Sequence, residues 1–346
     1  MKSLLITGGA GFIGSNYIEY CSDKNEEYYI VNLDKLTYAG NERNVNNQII
    51  KKRYTFIRGD ICNRELVEHI FRQWDIRGVI HFAAESHVDN SINSPDIFIQ
   101  TNVHGTFTLL DVAKNYWLKK PFKYRENYDG CRFLHISTDE VYGSLGKTGK
   151  FTEKTSYAPN SPYSASKAGS DMLVRAYYQT YGLNTVITNC SNNYGPKQHK
   201  EKLIPTIIGK ALAHKYIPIY GDGLNIRDWL YVQDHCGGID TAFHKGASGE
   251  TYNIGGNTEK TNIEIAKTIC DQLQILRPNG DGRKYHDLIS FVEDRPGHDR
   301  RYAVDCSKIT RELGWLPEIS FETGIELTIQ WYIDQINHSK DTPAGC

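Results

Sequence analysis

The chain begins with a short apolar run, Ser3–Thr7, that passes directly into Thr7-Gly8-Gly9-Ala10-Gly11-Phe12-Ile13-Gly14, where an amphipathic segment starts. Few folds accommodate that succession. Glycines at this spacing let the backbone leave a buried strand, turn sharply and approach a pyrophosphate. The oxygens of that group then face the N–H groups that open a helix. A second apolar run, Tyr29–Leu33, ends at Asp34, 20 residues beyond Gly14. A carboxylate at that place accepts hydrogen bonds from the adenosine ribose hydroxyls. It repels a 2′-phosphate, so the pattern favours NAD over NADP, although Lys35 next door weakens the argument. Asp60-Ile61 follows the third run, at Tyr54–Arg58, and is placed to flank an adenine; an ordinary turn fits Asp60 equally well.

The rhythm continues with apolar runs at Val79–Ala83, Phe133–Ser137 and Thr185–Thr188. None alternates in and out, as expected of strands buried on both faces. Amphipathic segments lie between them at Phe12–Cys21, Arg64–Gln73, Ile97–Lys119 and Tyr163–Tyr181. Strand–helix alternation predicts an α/β fold with a doubly wound parallel sheet of the Rossmann type. After about residue 195 the pattern changes. Leu203–His214, Val232–Lys245, Ile263–Leu276 and Phe321–Asn337 read as helices, with short strands at Ile217–Tyr220, Thr251–Ile254 and Ser290–Val292. The 346 residues suit about two domains at roughly 150 residues each. The expected division is a dinucleotide-binding domain over 1–195 and a smaller α/β lobe, mainly substrate-binding, over 196–338. Some of the later segments are expected to return to the first domain. Pro121–Gly130 and Arg277–His286 read as irregular loops.

Lys+Arg total 40 and Asp+Glu 41, a net charge of -1, which gives no electrostatic reason to expect nucleic acid or an anionic membrane as partner. No apolar stretch approaches the roughly 18 residues a membrane span needs. Met1–Ile6 is too short for a secretory signal and is cut off by Thr7-Gly8-Gly9, so a cytoplasmic protein is expected. The eight cysteines are each more than 30 residues from the next. They show neither Cys-x-x-Cys nor zinc spacing and read as reduced, small apolar residues; no metal is expected.

Ser137-Thr138-Asp139-Glu140 sits just past a buried strand, where open α/β sheets bind their ligands. Two carboxyls and a hydroxyl therefore point toward the cofactor crevice. Tyr163 and Lys167, at i and i+4, share one helix face. An ammonium there is expected to favour the phenolate and lower the tyrosine toward neutrality, making a base for a substrate hydroxyl. The pair lies 25 residues after Thr138 and behind Pro159–Pro162.

With these blocks in view the chain resembles the extended short-chain dehydrogenase/reductase family, and within it the sugar-nucleotide 4,6-dehydratases. The resemblance spans nearly the whole chain. Besides Thr7–Gly14, Ser137–Gly143 and Tyr163–Lys167 it rests on Asn32–Asn41, Phe82–Asp89 and Asn189–Pro196. Glu201–Pro205, Arg227–Leu230 and Arg295–Tyr302 complete it. Thr138-Asp139-Glu140 is the specific part, because epimerases of the same fold generally lack that acid pair. The resemblance implies a lyase with tightly bound NAD+ acting on dTDP-glucose. UDP-glucose is an alternative substrate, a 4-epimerase a more distant one. A catalytically dead NAD-binding sensor would have lost Tyr163, Lys167 or the acids. Tyr163 would take the C4 hydroxyl proton, Glu140 the C5 proton, and Asp139 would protonate the departing C6 hydroxyl. Thr138 would bond the C4 oxygen and Lys167 the nicotinamide ribose. Elimination needs an acid and a base of opposite protonation state close together, which neighbouring carboxyls provide because like charge raises one of them.

For the cofactor the resemblance implies Gly8, Gly11, Phe12, Ile13 and Gly14 in the loop, and Asp34, Lys35 and Thr37 after the second strand. Asp60, Ile61, Ala83, Ala84, Ser86, Asn102 and Asn193 would join Tyr163 and Lys167. For the substrate it implies Ser86, His87, Thr138, Asn192, Glu201, Lys202 and Leu203, with Tyr220, Arg227, Asn262, Arg295 and His298. A diphosphate needs cations, hence Lys202, Arg227, Arg295 and His298; by composition alone Arg295–Tyr302 would be a solvated loop. A homodimer is implied, pairing Ile97–Lys119 and Tyr163–Tyr181 in a four-helix bundle. Three departures stand out: Asn90 in place of the usual arginine, Lys197-Gln198-His199-Lys200 before Glu201, and the Pro121–Gly130 loop.

Overall fold

The computed structural model describes residues 2–24, 27–46, 53–279, 282–294 and 299–341. Seven strands form one sheet: β1 Lys2–Thr7, β2 Tyr28–Asp34, β3 Tyr54–Arg58, β4 Ile76–His81, β5 Arg132–Thr138, β6 Thr185–Cys190 and β7 Thr251–Ile254. Their order is β7-β6-β5-β4-β1-β2-β3, and all neighbours run parallel. The order reverses between β1 and β4, so a crevice opens at the carboxyl ends of those strands.

Alternate residues of each strand feed two cores. Leu4 and Ile6 join Ile18, Leu134 and Ile239 on one face, while Leu5 joins Val31, Leu110 and Val174 on the other. Burial on both faces is why the strands read as continuous apolar runs. A third core gathers Ile207, Ile269 and Ile329 from the helices Leu203–Leu212, Asn262–Leu276 and Phe321–Asp341. A small sheet, Glu259–Thr261, Ile226–Tyr231 and Asn192–Tyr194, carries Arg227 and Asn192 past the crevice.

The helix Pro162–Tyr181 is fixed at its start by proline in the first turn and by a reciprocal pair: Ser161 Oγ accepts from Ser164 N–H at 3.1 Å and Ser164 Oγ from Ser161 N–H at 3.0 Å. It ends at Gly182, whose φ of 70° suits glycine.

Three expectations need adjustment. The fourth strand ends at His81, and Phe82 instead bonds back to Thr7 C=O at 3.0 Å, so that Ala83 enters the crevice lip. The long helix runs from Pro95 to Trp117 through a π-turn at Ile99–Gly105; one extra residue in a turn leaves no mark in an amphipathic pattern. Pro121–Gly130 is not a free loop. Leu118–Lys120 pairs with Lys123–Tyr124, Phe122 N–H bonds Tyr181 C=O at 2.8 Å, and Tyr128 OH donates to Asp75 at 2.6 Å. Among the described residues no helix is long and apolar enough to cross a membrane, and no group of three or more His, Cys, Asp or Glu is arranged for a metal.

Candidate active site

Gly8 closes β1 with φ 72°, and its N–H bonds Leu33 C=O at 2.9 Å. A Cβ on Gly8 would lie 2.6 Å from Ala83 N, and one on Gly14 would lie 2.4 Å from Gly8 O. Only glycine lets strand, turn and helix close up in this way, leaving a cradle of backbone at the helix start. Asp34 flanks it. Its Oδ2 accepts from Ala10 N–H at 2.9 Å and its Oδ1 from Leu36 N–H at 2.8 Å. Burial pushes this carboxyl up, with the two backbone bonds opposing. Lys35 does not neutralise Asp34; its Nζ lies 2.8 Å from Asp60. Asp60 also accepts from Cys62 N–H at 2.9 Å. Burial raises the Asp60 carboxyl, but the Lys35 and Cys62 bonds outweigh it and hold it below the ordinary value. Asp60 thus shapes its own turn and faces the crevice as well. These residues fit a dinucleotide: a side-chain-free cradle for the pyrophosphate and an oriented carboxylate for a ribose.

The crevice encloses about 320 Å³. Its lining includes the glycine loop with Phe12, Ile13, Asp34, Lys35, Thr37, Asp60, Ile61, Ala83, Ala84 and Ser86, together with Thr138, Asp139, Glu140, Tyr163, Lys167, Asn192, Asn193, Glu201 and Lys202. Six of the expected residues stand behind this lining. Asn102 is a splint: its Oδ1 accepts from Glu85 N–H at 2.8 Å, and its Nδ2 donates to Glu85 C=O and to Ser166 Oγ. His87 caps a helix through Nδ1 and backs Glu201 at 3.6 Å. Leu203 opens a helix and packs on the third core. Tyr220 is exposed at the end of its strand. Arg227 lies over the Tyr302 ring at 4.4 Å and donates to Asp299 C=O at 2.9 Å, while its charge acts on Asp139. Asn262 begins its helix, its N–H on Asn225 C=O at 3.1 Å. Arg295 and His298 lie outside the described residues.

The reaction end is built on β5. Thr138 caps the single turn Asp139–Tyr142, its Oγ1 accepting from Glu140 N–H at 3.3 Å. Asp139 is 2% exposed, and its Oδ2 has no hydrogen-bond partner among the described residues. Burial, then the charges of Glu140 and Asp228, push the Asp139 carboxyl well above the usual range. Glu140 is only partly buried. Two adjacent carboxyls therefore sit in different surroundings, the inner one favouring its proton.

Tyr163 departs from expectation. Burial, and after it the Glu140 charge, hold its phenol well above its ordinary value. Lys167 does not lower it in this arrangement, because its Nζ turns to Ile136 C=O at 2.7 Å and stands 3.5 Å from His135 Nε2. The pattern reading also passed over Asp171, four residues beyond Lys167 on the same face, and His135 within β5. The i+8 spacing from Tyr163 was the available signal for Asp171. Gln198 and His199, in the segment that departs from the family pattern, line the crevice too.

Residues 5–328 match a family model described as GDP-mannose 4,6 dehydratase. A curated dTDP-glucose 4,6-dehydratase of Xanthomonas campestris pv. campestris is 54% identical over 333 residues, covering 96% of this chain and 93% of the relative. One of Neisseria meningitidis serogroup B is 54% identical over 337 residues, covering 96% and 94%. The chain belongs to the dTDP-glucose 4,6-dehydratase family. The solved Bacillus anthracis member of that family, in complex with NAD, superposes with a TM-score of 0.86 at 47% identity, covering 97% of this chain and 98% of the other. A UDP-glucose 4-epimerase of Thermotoga maritima still reaches a TM-score of 0.83 at 27% identity, covering 96% and 99%. Backbone shape alone therefore does not separate dehydratase from epimerase. Sequence identity does, at 54% to the Xanthomonas dehydratase against 27% to the epimerase.

Proposed function

We propose that this protein is a hydro-lyase that converts dTDP-glucose to dTDP-4-keto-6-deoxyglucose with tightly bound NAD+. The observation that carries the proposal is the unlike environment of Asp139 and Glu140 in one crevice with Tyr163 and Lys167. Bound nicotinamide would supply, as NAD+, the hydride acceptor at C4 and a positive charge that favours the phenolate, and, in the reduced form so produced, the hydride donor at C6. Tyr163 takes the C4 hydroxyl proton while Thr138 bonds that oxygen. The resulting ketone acidifies C5–H, and Glu140 removes this proton. Asp139, whose carboxyl burial pushes toward the protonated form, gives its proton to the C6 hydroxyl, which leaves as water. Glu140 then returns a proton to C5. The sum is the loss of one water with the cofactor regenerated.

Lys202 and Arg227 would meet the diphosphate, with Arg295 and His298 completing the cationic side, and Asn192, Glu201 and Ser86 the sugar. Residues 196–338 would then form mainly the substrate side. The exposed Ile97, Ile99, Phe107 and Met172 on the two long helices support a second copy of this chain docking there. Micromolar protein scattering light as a monomer would reject that dimer. Seven unbridged cysteines among the described residues support a reducing, cytoplasmic setting.

The direct test incubates the protein with dTDP-glucose and with UDP-glucose in parallel. Mass spectrometry should show dTDP-glucose lighter by one water without net consumption of NAD+. An unchanged dTDP-glucose would refute the proposal, and water loss from UDP-glucose alone would reassign the nucleotide.

A further inference from the structure

Asp171 lies on the helix Pro162–Tyr181, on the face that carries Tyr163 and Lys167, and its side chain is wholly buried. A carboxylate withdrawn from water needs partners; here Oδ2 has two, while Oδ1 has no hydrogen bond among the described residues. Ser137 Oγ donates to its Oδ2 at 2.8 Å and Tyr157 OH to the same oxygen at 2.9 Å. Its Oδ1 lies 3.2 Å from His135 Nε2. That same ring nitrogen lies 3.5 Å from Lys167 Nζ. His135 thus stands between ammonium and carboxylate. None of the steps above employs either His135 or Asp171.

We propose that Asp171, set beside Lys167 with the His135 ring between them, is the buried counter-charge that keeps Lys167 protonated and oriented, and so acts as a positioning residue for oxidation at C4. The inference rests on the proposed function and on Lys167 holding the nicotinamide ribose in that oxidation, the role the family resemblance implies for it.

The neighbours support it. Burial alone drives an ammonium toward its neutral form; here it brings Lys167 down to about 8, with the Asp171 charge the larger of two opposing influences. Asp171 is pushed up to about 6 by burial, against Lys167, Ser137 and Tyr157. The remaining groups around the ammonium do not supply that anion. His81 from β4 and His135 from β5 are held neutral, first by burial. Cys190 at the end of β6 is pushed up to about 12 by burial. Asp139 favours its proton for the same reason, burial likewise raises the Tyr163 phenol on the lysine's own helix, and Glu140 lies at the crevice with its charge acting on both of them. The neighbouring helix offers Phe98 to Tyr163 and Asn102 to Ser166, neither of them titratable.

The experiment follows reduced nicotinamide formation in a single turnover of the holoenzyme across pH. Asp171→Asn keeps the shape and removes the charge. Its high-pH limb should move about one unit toward acid, the scale of a lost opposite charge, with the KM for the sugar nucleotide unchanged. His135→Gln replaces the ring that separates the two charges and should shift the limb in the same direction by less, which preserves the test if the first variant does not fold. Wild-type limbs in both variants would overturn the inference. Lys167→Met separates the two levels. If it still oxidises C4, the role given to Lys167 fails; if it does not while the other two behave as wild type, only the counter-charge fails.

Discussion

The two ends of the crevice are built on opposite terms. At the end proposed for adenosine, Asp34 holds two backbone N–H groups and Asp60 is paired with Lys35. The glycine cradle is set by backbone contact. At the reaction end Asp139 Oδ2, Asn193 Oδ1 and Glu201 Oε1 are buried without a hydrogen-bond partner among the described residues. Buried polar groups are nearly always bonded, and exceptions point to chemistry or to a ligand. The recognition end is complete in itself, whereas the reaction end keeps capacity that a hydroxyl-rich sugar would use.

That contrast can be broken most severely with Tyr163→Phe. Loss of the base should slow C4 oxidation by about 10³-fold and leave NAD bound, because the adenosine end is untouched. Normal oxidation in a rapid-mixing assay would remove Tyr163 from the mechanism. Gly14→Ala reverses the pattern. Its Cβ would meet Gly8 O at 2.4 Å and Gly9 Cα at 2.8 Å, both backbone, so the cradle must open. The variant should purify without nucleotide, measured by releasing it from denatured protein; full NAD content would show that the cradle is not the cofactor's seat. Asp34→Ala is milder, weakening NAD by about tenfold or more, as loss of charge-assisted bonds does. A titration showing unchanged affinity would contradict the assigned ribose contact.

A control lies away from both ends. His235 is fully buried, with neither ring nitrogen partnered among the described residues, and burial pushes it down to about 3. Unfolded histidine titrates near 6.5. As pH falls from about 6.5 to 3 the unfolded chain gains a proton that the folded chain refuses, so stability declines with acid. His235→Leu should lose about 2 kcal/mol less than wild type between pH 7 and pH 5 in denaturant unfolding, by this linkage. Parallel curves would show that His235 carries no such penalty.

The geometry around Gly8, Gly14 and Asp34 was legible because its logic is local, set by backbone contacts that spacing reports. Asp139 and Glu140 were legible as neighbours in sequence, but their unlike burial was not. Asp171 escaped notice because a charged residue in an amphipathic helix reads as surface, and only tertiary packing shows it facing His135. The direction of Lys167 toward Ile136 C=O was equally invisible, since residue spacing gives a face and not a partner. The π-turn at Ile99–Gly105 and the pairing of β7 with β6, from residues 251–254, likewise depend on contacts distant in sequence.

The central claim is that the buried acid Asp139 delivers the proton that turns the C6 hydroxyl into water. Asp139→Asn, mixed with dTDP-glucose in a single turnover, tests it by following reduced nicotinamide and product mass together. Reduced nicotinamide should accumulate while the sugar nucleotide keeps its C6 oxygen. Water loss at the wild-type rate in that variant would contradict it.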